Sequence, residues 1–436
     1  MGLNPKAKLM SSALPGFYKL PYEERINRLR KLYDLTDEDI AAFNQLDAQL
    51  PLSTSDTMIE NCIGRHVTPV GVATNFIVDD KEIIIPYVTE EPSVIAAASF
   101  AAKLARPSGG FKTAAGDNVC SGQIAFIAPS SSSEHLSQLK SRSQKILDVA
   151  NSTMPSMVAR KCGAYKTDIY QTDTDSGPIL VVEIHVRVGN SMGANAVTHA
   201  CESIKDYVLK ELNFEPLMGI ITNMADKRIV YATAKWHIKD LSTKEYDGYD
   251  VANRIIIATN FAKANEHRGA THRKGIMNGI TAVVTATGND TRAVESAIHS
   301  YAHLPSNNPA LTSYRISDQD LVGEIWIPVP VGIIGGTINR NASVSTWRKL
   351  MKVESADDLA RVIAAVGLAQ NFAALRALVT QGISAGHMKL HSRNIACEAG
   401  AKGNEIDIVA EKLIVSGSIS VSKAQNFLSE IRCQLT

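Results

Sequence analysis

The sequence lacks most of the compositional features that would assign it to a specialised class of protein. Its 45 lysine and arginine residues balance 44 aspartate and glutamate residues, for a formal net charge of +1. No overall field therefore attracts nucleic acid or an anionic membrane surface, and any anion must be recognised locally. The six cysteines are scattered without a Cys-x-x-Cys pair. This spacing argues against a zinc site and favours a reducing compartment over a disulfide framework.

Long apolar runs and leader segments are also missing. No run of roughly 18 apolar residues indicates a membrane-spanning helix, and the opening MGLNPKAKLM lacks the apolar core of a signal peptide. We therefore expect a soluble cytoplasmic protein with no metal, membrane or nucleic-acid partner. A chain of 436 residues is long enough for two or three domains.

Several well-known catalytic signatures are absent. The chain has no Gly-x-Gly-x-x-Gly turn after a strand, no Walker A lysine loop, no His-Glu-x-x-His and no Gly-x-Ser-x-Gly. These absences disfavour a Rossmann dehydrogenase, a P-loop enzyme, a zinc protease and a serine hydrolase.

The hydrophobic pattern changes rhythm in the middle of the chain. From residue 123 to residue 221 it predicts the order β-α-β-β-α-β, which is the split βαβ or ferredoxin-like arrangement. Strands are predicted over 123–129, 167–172, 179–188 and 217–221, and helices over 133–151 and 194–212. We expect this part to be a compact domain inserted into a larger one.

The segment 268–290 places charge beside apolar sequence. Four basic or imidazole side chains fall within seven residues: Arg268, His272, Arg273 and Lys274. A largely apolar run then leads to Asp290. Buried ionised groups are costly unless they are paired, so Lys274 and Asp290 are candidates for a functional site. The residues alone leave a plain Lys274–Asp290 salt bridge equally open.

Seven short segments together resemble the 3-hydroxy-3-methylglutaryl-CoA reductase family, specifically its soluble bacterial and archaeal class II. They are ENCIG (60–64), EEPS (90–93), SMGAN (191–195), the run 268–278, TGND (287–290), GLAQN (367–371) and GHM (386–388). Any one of them is weak evidence, but all seven follow the family's order and spacing. The resemblance extends from about residue 20 to the C-terminus.

The resemblance implies an α+β fold in three parts. A large discontinuous α/β substrate domain would comprise residues 1–115 and 226–380. An inserted ferredoxin-like (βαββαβ) domain for the nicotinamide cofactor would span 116–225, and a C-terminal helical flap would span 381–436. The family also implies a homo-oligomer, a dimer or higher, with active sites shared between subunits.

The implied reaction is the four-electron reduction of hydroxymethylglutaryl-CoA to mevalonate and coenzyme A with two NADPH or NADH, or its reverse. The implied catalytic residues are Glu91, Lys274, Asp290 and His387. Lys274 would stabilise the oxyanion formed by hydride attack, and His387 would protonate the departing thiolate. A protonated Glu91 would serve the aldehyde step, with Asp290 pairing with Lys274 and helping Glu91 to keep its proton.

The resemblance also implies binding residues. Ser93 and Arg268 would hold the substrate carboxylate, with Thr271, Asn223 and Asn278 as polar neighbours. Cofactor contacts would come from a loop whose backbone N–H groups can face a pyrophosphate, formed by Asn190, Met192, Gly193, Ala194 and Asn195. The position for the ribose 2′-hydroxyl falls on either Tyr165 or Asp168, so the choice between NADPH and NADH stays open.

Some residues depart from the family pattern or allow a different interpretation. Asn190 stands where the family has Asp, which removes a charge from the cofactor loop. Arg273 either disfavours the charge of Lys274 or points away toward coenzyme A phosphates. Gln370 and Asn371 are expected to be a buried hydrogen-bonding pair.

Two other functions are compatible with the same fold. One is a reductase acting on a different acyl-CoA thioester, and retention of Ser93 and Arg268 argues against it. The other is a non-catalytic cofactor-binding relative, and retention of all four catalytic residue types argues against that.

Overall fold

A computed structural model of the protein describes residues 11–128 and 132–434, without the side chains of residues 132, 383–390 and 434. The strands are β1 Val70–Val78, β2 Lys81–Val88, β3 Phe111–Ala115, β4 Val119–Ile127, β5 Gly163–Thr174, β6 Gly177–Arg187, β7 Pro216–Ile221, β8 Ile229–His237, β9 Thr312–Ser317 and β10 Asp320–Pro328. The helices of the first half are α1 Tyr22–Tyr33, α2 Asp37–Asn44, α3 Leu46–Gln49, α4 Leu52–Asp56, α5 Val94–Ala105, α6 Ser132–Ser141, α7 Ser143–Ser152, α8 Pro155–Ala159 and α9 Ala194–Leu212. Those of the second half are α10 Gly248–Ala264, α11 Glu266–Ala286, α12 Thr291–Ala302, α13 Ser343–Met351, α14 Ala356–Val379, α15 Ile383–Glu398, α16 Glu405–Val415 and α17 Val421–Gln434. This mixed content agrees with the predicted α+β class.

Six strands form the larger sheet, in the order β2-β1-β3-β8-β10-β9. Only the β1–β3 pair is parallel, and the other neighbours are antiparallel. Pro86 does not interrupt β2, which continues through it. The reason is that β2 lies at the edge of the sheet, where a residue without an N–H is tolerated.

The core of this larger sheet is built around Trp236 of β8. Its ring stacks on Phe372 of α14 with a centroid distance of 3.9 Å, and its indole N–H donates to the carbonyl of Ala101 in α5 at 3.0 Å. A buried indole usually needs such a partner for its N–H. These contacts fix α5 and α14 against the sheet, and both helices contribute to the cavity described below.

Helix α14 is long and apolar enough to cross a membrane by length and composition, with a mean hydropathy of 1.7 in its most apolar window. The sequence contains no uninterrupted apolar run of this length, because polar residues interrupt the helix. Within the protein, 72% of that window is buried. The helix is therefore packed as the central helix of the core.

The smaller sheet contains four antiparallel strands in the order β5-β6-β4-β7. The chain passes through it as β-α-β-β-α-β, and α7 and α9 cover one face with a hydrophobic cluster of their own. The predicted helix 133–151 is split into α6 and α7 at Arg142, whose backbone is not helical. Strand β5 is longer than predicted and has an irregularity in its pairing between Ala164 and Lys166.

The last three helices, α15 to α17, share a third small hydrophobic cluster that includes Val409, Leu413 and Leu428. His387 falls in α15. The side chain of His387, which is predicted to be catalytic, lies outside the described part of the structure.

Candidate active site

Glu91 and Ser93, beside the start of α5, face one side of α11 across a cavity of about 520 Å³. We call it the Lys274 cavity. Residues three, four and seven positions apart share one face of a helix, which brings Arg268, Thr271, Lys274 and Asn278 of α11 to its wall. The structure thus brings together six of the predicted site residues: Glu91, Ser93, Arg268, Thr271, Lys274 and Asn278.

The ammonium of Lys274 donates to the carboxylate of Glu91 at a distance of 3.3 Å. Both side chains are partly exposed, and a pair of this kind adds little to stability. The arrangement places a fixed cation and a carboxylate side by side at the open edge of the cavity, where both can reach a bound molecule.

Ser93 has an unusual backbone at the start of α5. Its φ is 77°, in the left-handed region, and its side chain does not cap the helix. Its hydroxyl is buried and has no hydrogen-bond partner among the described residues. A strained residue with an unsatisfied donor on a cavity wall is typical of a functional position.

Arg268 is held at the first turn of α11, where its backbone N–H donates to the side chain of Asn265 at 2.9 Å. Burial lowers the pKa of its guanidinium from the ordinary value. The guanidinium forms no ion pair with the described residues, so its charge is available to an anion inside the Lys274 cavity.

A buried polar network forms the floor of this cavity. The Nε2 atom of His272 lies 2.9 Å from the Thr312 hydroxyl and 3.0 Å from the Asn371 amide nitrogen. The Asn371 carbonyl oxygen accepts from the Tyr314 hydroxyl at 2.9 Å. Burial, followed by the charges of Arg268 and Arg273, lowers the pKa of His272 to about 3, so the ring is neutral.

The position of Gln370 on the wall of the Lys274 cavity was not predicted from the sequence. It was expected to form a buried hydrogen-bonding pair with Asn371, and Asn371 is indeed bonded on all sides. The Oε1 atom of Gln370, however, is buried without a partner among the described residues, and Gln370 lines the cavity. The sequence feature that could have indicated this position is the polar pair Gln370-Asn371 in the middle of an apolar helix.

Arg273 points away from Lys274. Its guanidinium donates to the carbonyl of Pro309 at 2.7 Å and approaches His303 at 3.5 Å, and the residue is only 6% exposed. Both expectations for it, an effect on Lys274 and a contact with coenzyme A phosphates, are therefore replaced by a role in packing α11 against the chain around it.

Asp290 does not pair with Lys274, so the prediction of a Lys274–Asp290 salt bridge is wrong within one chain. Helix α11 continues from Lys274 to Ala286, which are 12 positions apart (286 − 274) and thus separated by about 18 Å along the helix. The Asp290 carboxylate instead caps α12, accepting from the backbone N–H groups of Arg292 and Ala293 at 3.0 and 3.1 Å.

Asp290 lies in a second cavity of about 380 Å³, which we call the Asp290 cavity. Its walls are residues 191–196, 288–290 and 334–338, together with Met157. Gly193 caps α9 with φ 98° and without a side-chain hydrogen bond. The first N–H groups of a helix have no acceptor within it, so this end of α9 is suited to an anion such as a pyrophosphate. Four of the predicted cofactor residues line the cavity: Met192, Gly193, Ala194 and Asn195.

Asn190 does not reach this cavity with its side chain. Its Oδ1 atom accepts from the N–H of Ala356 at the start of α14, at 3.0 Å. The amide therefore stabilises a helix N-terminus, which an uncharged acceptor can do as well as a carboxylate.

The two ribose candidates lie on β5, outside the Asp290 cavity. The Asp168 carboxylate accepts from Lys166 at 2.8 Å and lies 2.7 Å from the His185 ring. Lys166 is the largest influence that lowers the pKa of Asp168. Tyr165, where the pairing of β5 is irregular, carries the guanidinium of Arg187 4.0 Å above its ring.

Asn223 is exposed on the loop after β7 and lines neither cavity. Within one chain it is therefore not a neighbour of Arg268. Among the side chains that the structure describes, no group of three or more His, Cys, Asp or Glu could hold a metal ion.

Comparisons with known proteins agree with this architecture. The family model for hydroxymethylglutaryl-coenzyme A reductase matches residues 21–392. The chain is 42% identical to the 3-hydroxy-3-methylglutaryl-coenzyme A reductase of Archaeoglobus fulgidus, covering 98% of this chain and 96% of that one. It is 32% identical to the probable reductase of Borreliella burgdorferi, over 82% of each chain.

Solved structures give the same result. The enzyme from Streptococcus pneumoniae superimposes with a TM-score of 0.81 at 36% identity, covering 96% of this chain and all of that one. A structure of the class II enzyme from the same organism, bound to NADPH in open conformations, gives a TM-score of 0.79 at 35% identity over 95% of this chain.

Fold, cavities and relatives together define an NAD(P)H-dependent oxidoreductase. The chain belongs to the hydroxymethylglutaryl-CoA reductase family, in its class II form, and has the activity of that family. The resemblance found in the sequence is confirmed.

Proposed function

We propose that the chain reduces hydroxymethylglutaryl-CoA to mevalonate and coenzyme A by two successive hydride transfers, and that each active site combines the Lys274 cavity of one subunit with the Asp290 cavity of another. The observation that carries this proposal is the distribution of the predicted residues. The substrate residues Ser93, Arg268, Thr271 and Asn278 line one cavity, and the cofactor residues Met192, Gly193, Ala194 and Asn195 line the other.

The Lys274 cavity suits a hydroxymethylglutaryl group. The guanidinium of Arg268 and the free hydroxyl of Ser93 can both bind its carboxylate. The Lys274 ammonium then stabilises the oxyanion that forms when hydride attacks the thioester carbonyl. This acyl end argues for hydroxymethylglutaryl-CoA over other acyl-CoA thioesters, because a simple acyl group would leave the charge of Arg268 without a partner.

Two protein groups donate protons in this scheme, and a third orients the groups around the substrate. The hemithioacetal expels coenzyme A as a thiolate, whose proton we assign to His387 on α15. Glu91, next to Lys274, supplies the proton for the alkoxide formed in the aldehyde step. Asp290 of the second subunit joins Lys274 and Glu91 and orients them. Overall, one thioester, two reduced nicotinamides and two protons yield mevalonate, free thiol and two oxidised nicotinamides.

The distance between Lys274 and Asp290 within one chain is the reason for proposing active sites that are shared between subunits. Lys274 and Asp290 are too far apart to act on one carbonyl, since about 18 Å of α11 lies between them. Reacting groups need to lie within about 3.5 Å of each other. A second copy that presents its Asp290 cavity to the Lys274 cavity removes this difficulty, and a symmetric dimer does so twice.

The cofactor fits the Asp290 cavity, where the uncapped end of α9 can bind a pyrophosphate. The reduced nicotinamide supplies the hydride in both steps. We propose NADPH as the cofactor over NADH. The support is that Asp168 is already engaged by Lys166 and His185, and that a class II relative binds NADPH.

The domain assignment belongs to the same proposal. Residues 1–115 and 226–380 form the substrate domain, 116–225 the cofactor domain and 381–436 a flap that closes over the site. The first two contain the separate hydrophobic clusters of the larger and the smaller sheet, and the third contains a cluster of its own. A cytoplasmic location is supported by the thiols of Cys62, Cys120, Cys162, Cys201 and Cys397, which form no disulfide in the described structure.

The decisive assay follows oxidation of NADPH and of NADH with hydroxymethylglutaryl-CoA. We expect two equivalents of cofactor to be consumed per thioester and free thiol to appear. Lys274→Met keeps the length of the side chain without its charge and serves as the inactive control. Oxidation with another acyl-CoA but not with hydroxymethylglutaryl-CoA would contradict the proposed substrate.

A further inference from the structure

Arg228 lies where the two sheets are joined. The chain passes from the larger sheet to the smaller through residues 116–118 and returns through residues 222–228. Arg228 ends the returning segment and is only 4% exposed. It lines neither the Lys274 cavity nor the Asp290 cavity.

The guanidinium of Arg228 spans three segments of the chain. Its Nε donates to the Asn118 side chain at 2.5 Å, and its Nη1 donates to the carbonyl of Met192 at 2.9 Å. Nη2 lies 3.4 Å from the carbonyls of both Ser191 and Val331. One side chain therefore ties the connection between the sheets to the loop at the start of α9.

No carboxylate of the described residues forms a direct ion pair with Arg228, although the Asp357 carboxylate acts on its charge from a longer distance. Its acceptors in the described chain are all uncharged oxygens, and it takes part in none of the ion pairs there. Burial lowers the pKa of Arg228 to about 10, so the guanidinium is still charged near neutral pH. A buried charge without a directly bonded counter-charge is costly and is retained where it serves a purpose.

The bond to Met192 determines which way the next peptide group faces. In a planar trans peptide the C=O and the following N–H point in opposite directions. Because the carbonyl of Met192 is turned toward Arg228, the N–H of Gly193 is turned away from it. Gly193 lines the Asp290 cavity, beside the first N–H groups of α9.

A tight backbone contact supports the same loop from another side. A side chain on Gly332 would lie 2.5 Å from the backbone nitrogen of Met192, so the segment leading to Ile334 packs directly on the loop. The N–H of Ile333 donates to the carbonyl of Asn190 at 2.9 Å. The loop is thus held by Arg228 and by this backbone, with little freedom to rearrange.

We propose that Arg228 is a positioning residue for the cofactor, which holds the loop 190–193 so that the N–H groups at the start of α9 face the pyrophosphate. Its buried positive charge adds to the attraction for that anion. Arg228 does not touch the reacting atoms. This inference rests on the cofactor site proposed above.

The test measures NADPH and NADH affinity by fluorescence titration without the acyl substrate, together with the KM of hydroxymethylglutaryl-CoA. Arg228→Lys keeps the charge but cannot span the same oxygens, and Arg228→Met removes both charge and hydrogen bonds. We expect at least about tenfold weaker cofactor binding in each, and more in Arg228→Met, with the KM of the thioester changed less than about twofold.

Controls separate positioning from a general role in folding. Lys227→Met changes the neighbouring, half-exposed lysine, which pairs with Asp226 at 2.9 Å, and should bind cofactor like the wild type. Asn118→Ala removes the Nε partner, together with the bond from Asn118 to the carbonyl of Gly189, and offers a milder test if the Arg228 variants do not fold. Wild-type cofactor affinity in folded Arg228 variants, or in Asn118→Ala if those do not fold, overturns the proposal. A rise in the KM of hydroxymethylglutaryl-CoA as large as the loss of cofactor affinity also overturns it.

A further variant tests the cofactor site itself. Asn195→Asp puts a carboxylate into the first turn of α9, which suits the helix dipole but repels a pyrophosphate. If it leaves cofactor binding unchanged, the proposed cofactor site is wrong. If it weakens binding while the Arg228 variants do not, the site stands and the role of Arg228 is wrong.

Discussion

Lys274 and Asp290 face different cavities of the same chain, although only sixteen positions (290 − 274) separate them. Lys274 pairs with Glu91, and Asp290 caps α12. If both residues serve one reaction, they must come from different subunits. This relationship leads to the first prediction.

Two inactive variants should restore each other's activity when they are combined. Lys274→Met removes the cation, and Asp290→Asn removes the carboxylate but keeps a good helix cap. In a mixed dimer, one site carries both changes and the other carries neither. After unfolding and refolding equal amounts together, we expect about a quarter of wild-type kcat, because about half of the dimers are mixed and each has one intact site.

The matched control refolds each variant alone, which should stay inactive. Unchanged inactivity of the mixture, with mixed dimers demonstrated by differently tagged chains, would mean that each active site is built within one subunit.

The second prediction concerns the strained backbone of Ser93. Ser93→Gly relieves the positive φ and should make the protein more stable by about 1 kcal/mol. Ser93→Ala keeps the strain. Both variants lose the hydroxyl and should reduce kcat/KM for hydroxymethylglutaryl-CoA about tenfold or more, mainly through KM. Thermal unfolding and steady-state kinetics measure the two effects separately, and an unaltered KM in both variants would exclude Ser93 from substrate binding.

The sequence predicted the bounds of helices and strands well where residues that favour a left-handed backbone mark their ends. Helix α9 has the predicted ends at Ala194 and Leu212, because Gly193 and Asn213 both adopt left-handed backbone conformations beside them. The split of α6 from α7 was missed, since nothing in the residues around Arg142 marks a break as Gly or Pro would.

The candidate site was predicted residue by residue, but its geometry was not. The prediction had Lys274 pairing with Asp290, at the far end of the run that follows the lysine. In the structure most of this run belongs to a helix of 21 residues, which separates Lys274 from Asp290 and places them in different cavities. The sequence does not show that the run is one straight helix. Arg228 was missed altogether, because its role depends on three segments that meet only in the folded chain.

The third prediction is a dependence of stability on pH that originates at His272. Burial, reinforced by Arg268 and Arg273, lowers the pKa of His272 to about 3 in the folded protein, against an ordinary value of 6.5. Unfolding therefore takes up a proton below about pH 6.5, so this contribution is complete above that pH and is lost as the pH falls toward about 3. Between pH 7 and about pH 4.5 the loss should be about 3 kcal/mol.

Urea unfolding of wild type and His272→Gln across this pH range isolates the effect. The variant should be less stable near pH 7 by roughly 1–3 kcal/mol, because it disrupts the bonds to Thr312 and Asn371. Its stability should fall less steeply with acid, so that the two profiles converge. His199→Gln, at an exposed histidine of α9, should follow the wild-type profile; parallel profiles for His272→Gln and wild type would show that His272 is not the source.

The last prediction concerns cofactor choice. A free carboxylate beside the ribose repels the 2′-phosphate of NADPH, but that of Asp168 is occupied by Lys166 and His185. We therefore expect kcat/KM with NADPH to equal or exceed kcat/KM with NADH. Asp168→Asn should change the ratio of these two values by less than about threefold, which is roughly half of the 1.4 kcal/mol that corresponds to a tenfold change. Lys166→Met is the informative companion, since removing the lysine frees the carboxylate and should move the preference toward NADH. A tenfold gain for NADPH in Asp168→Asn would mean that the carboxylate already opposes the phosphate in the wild-type enzyme.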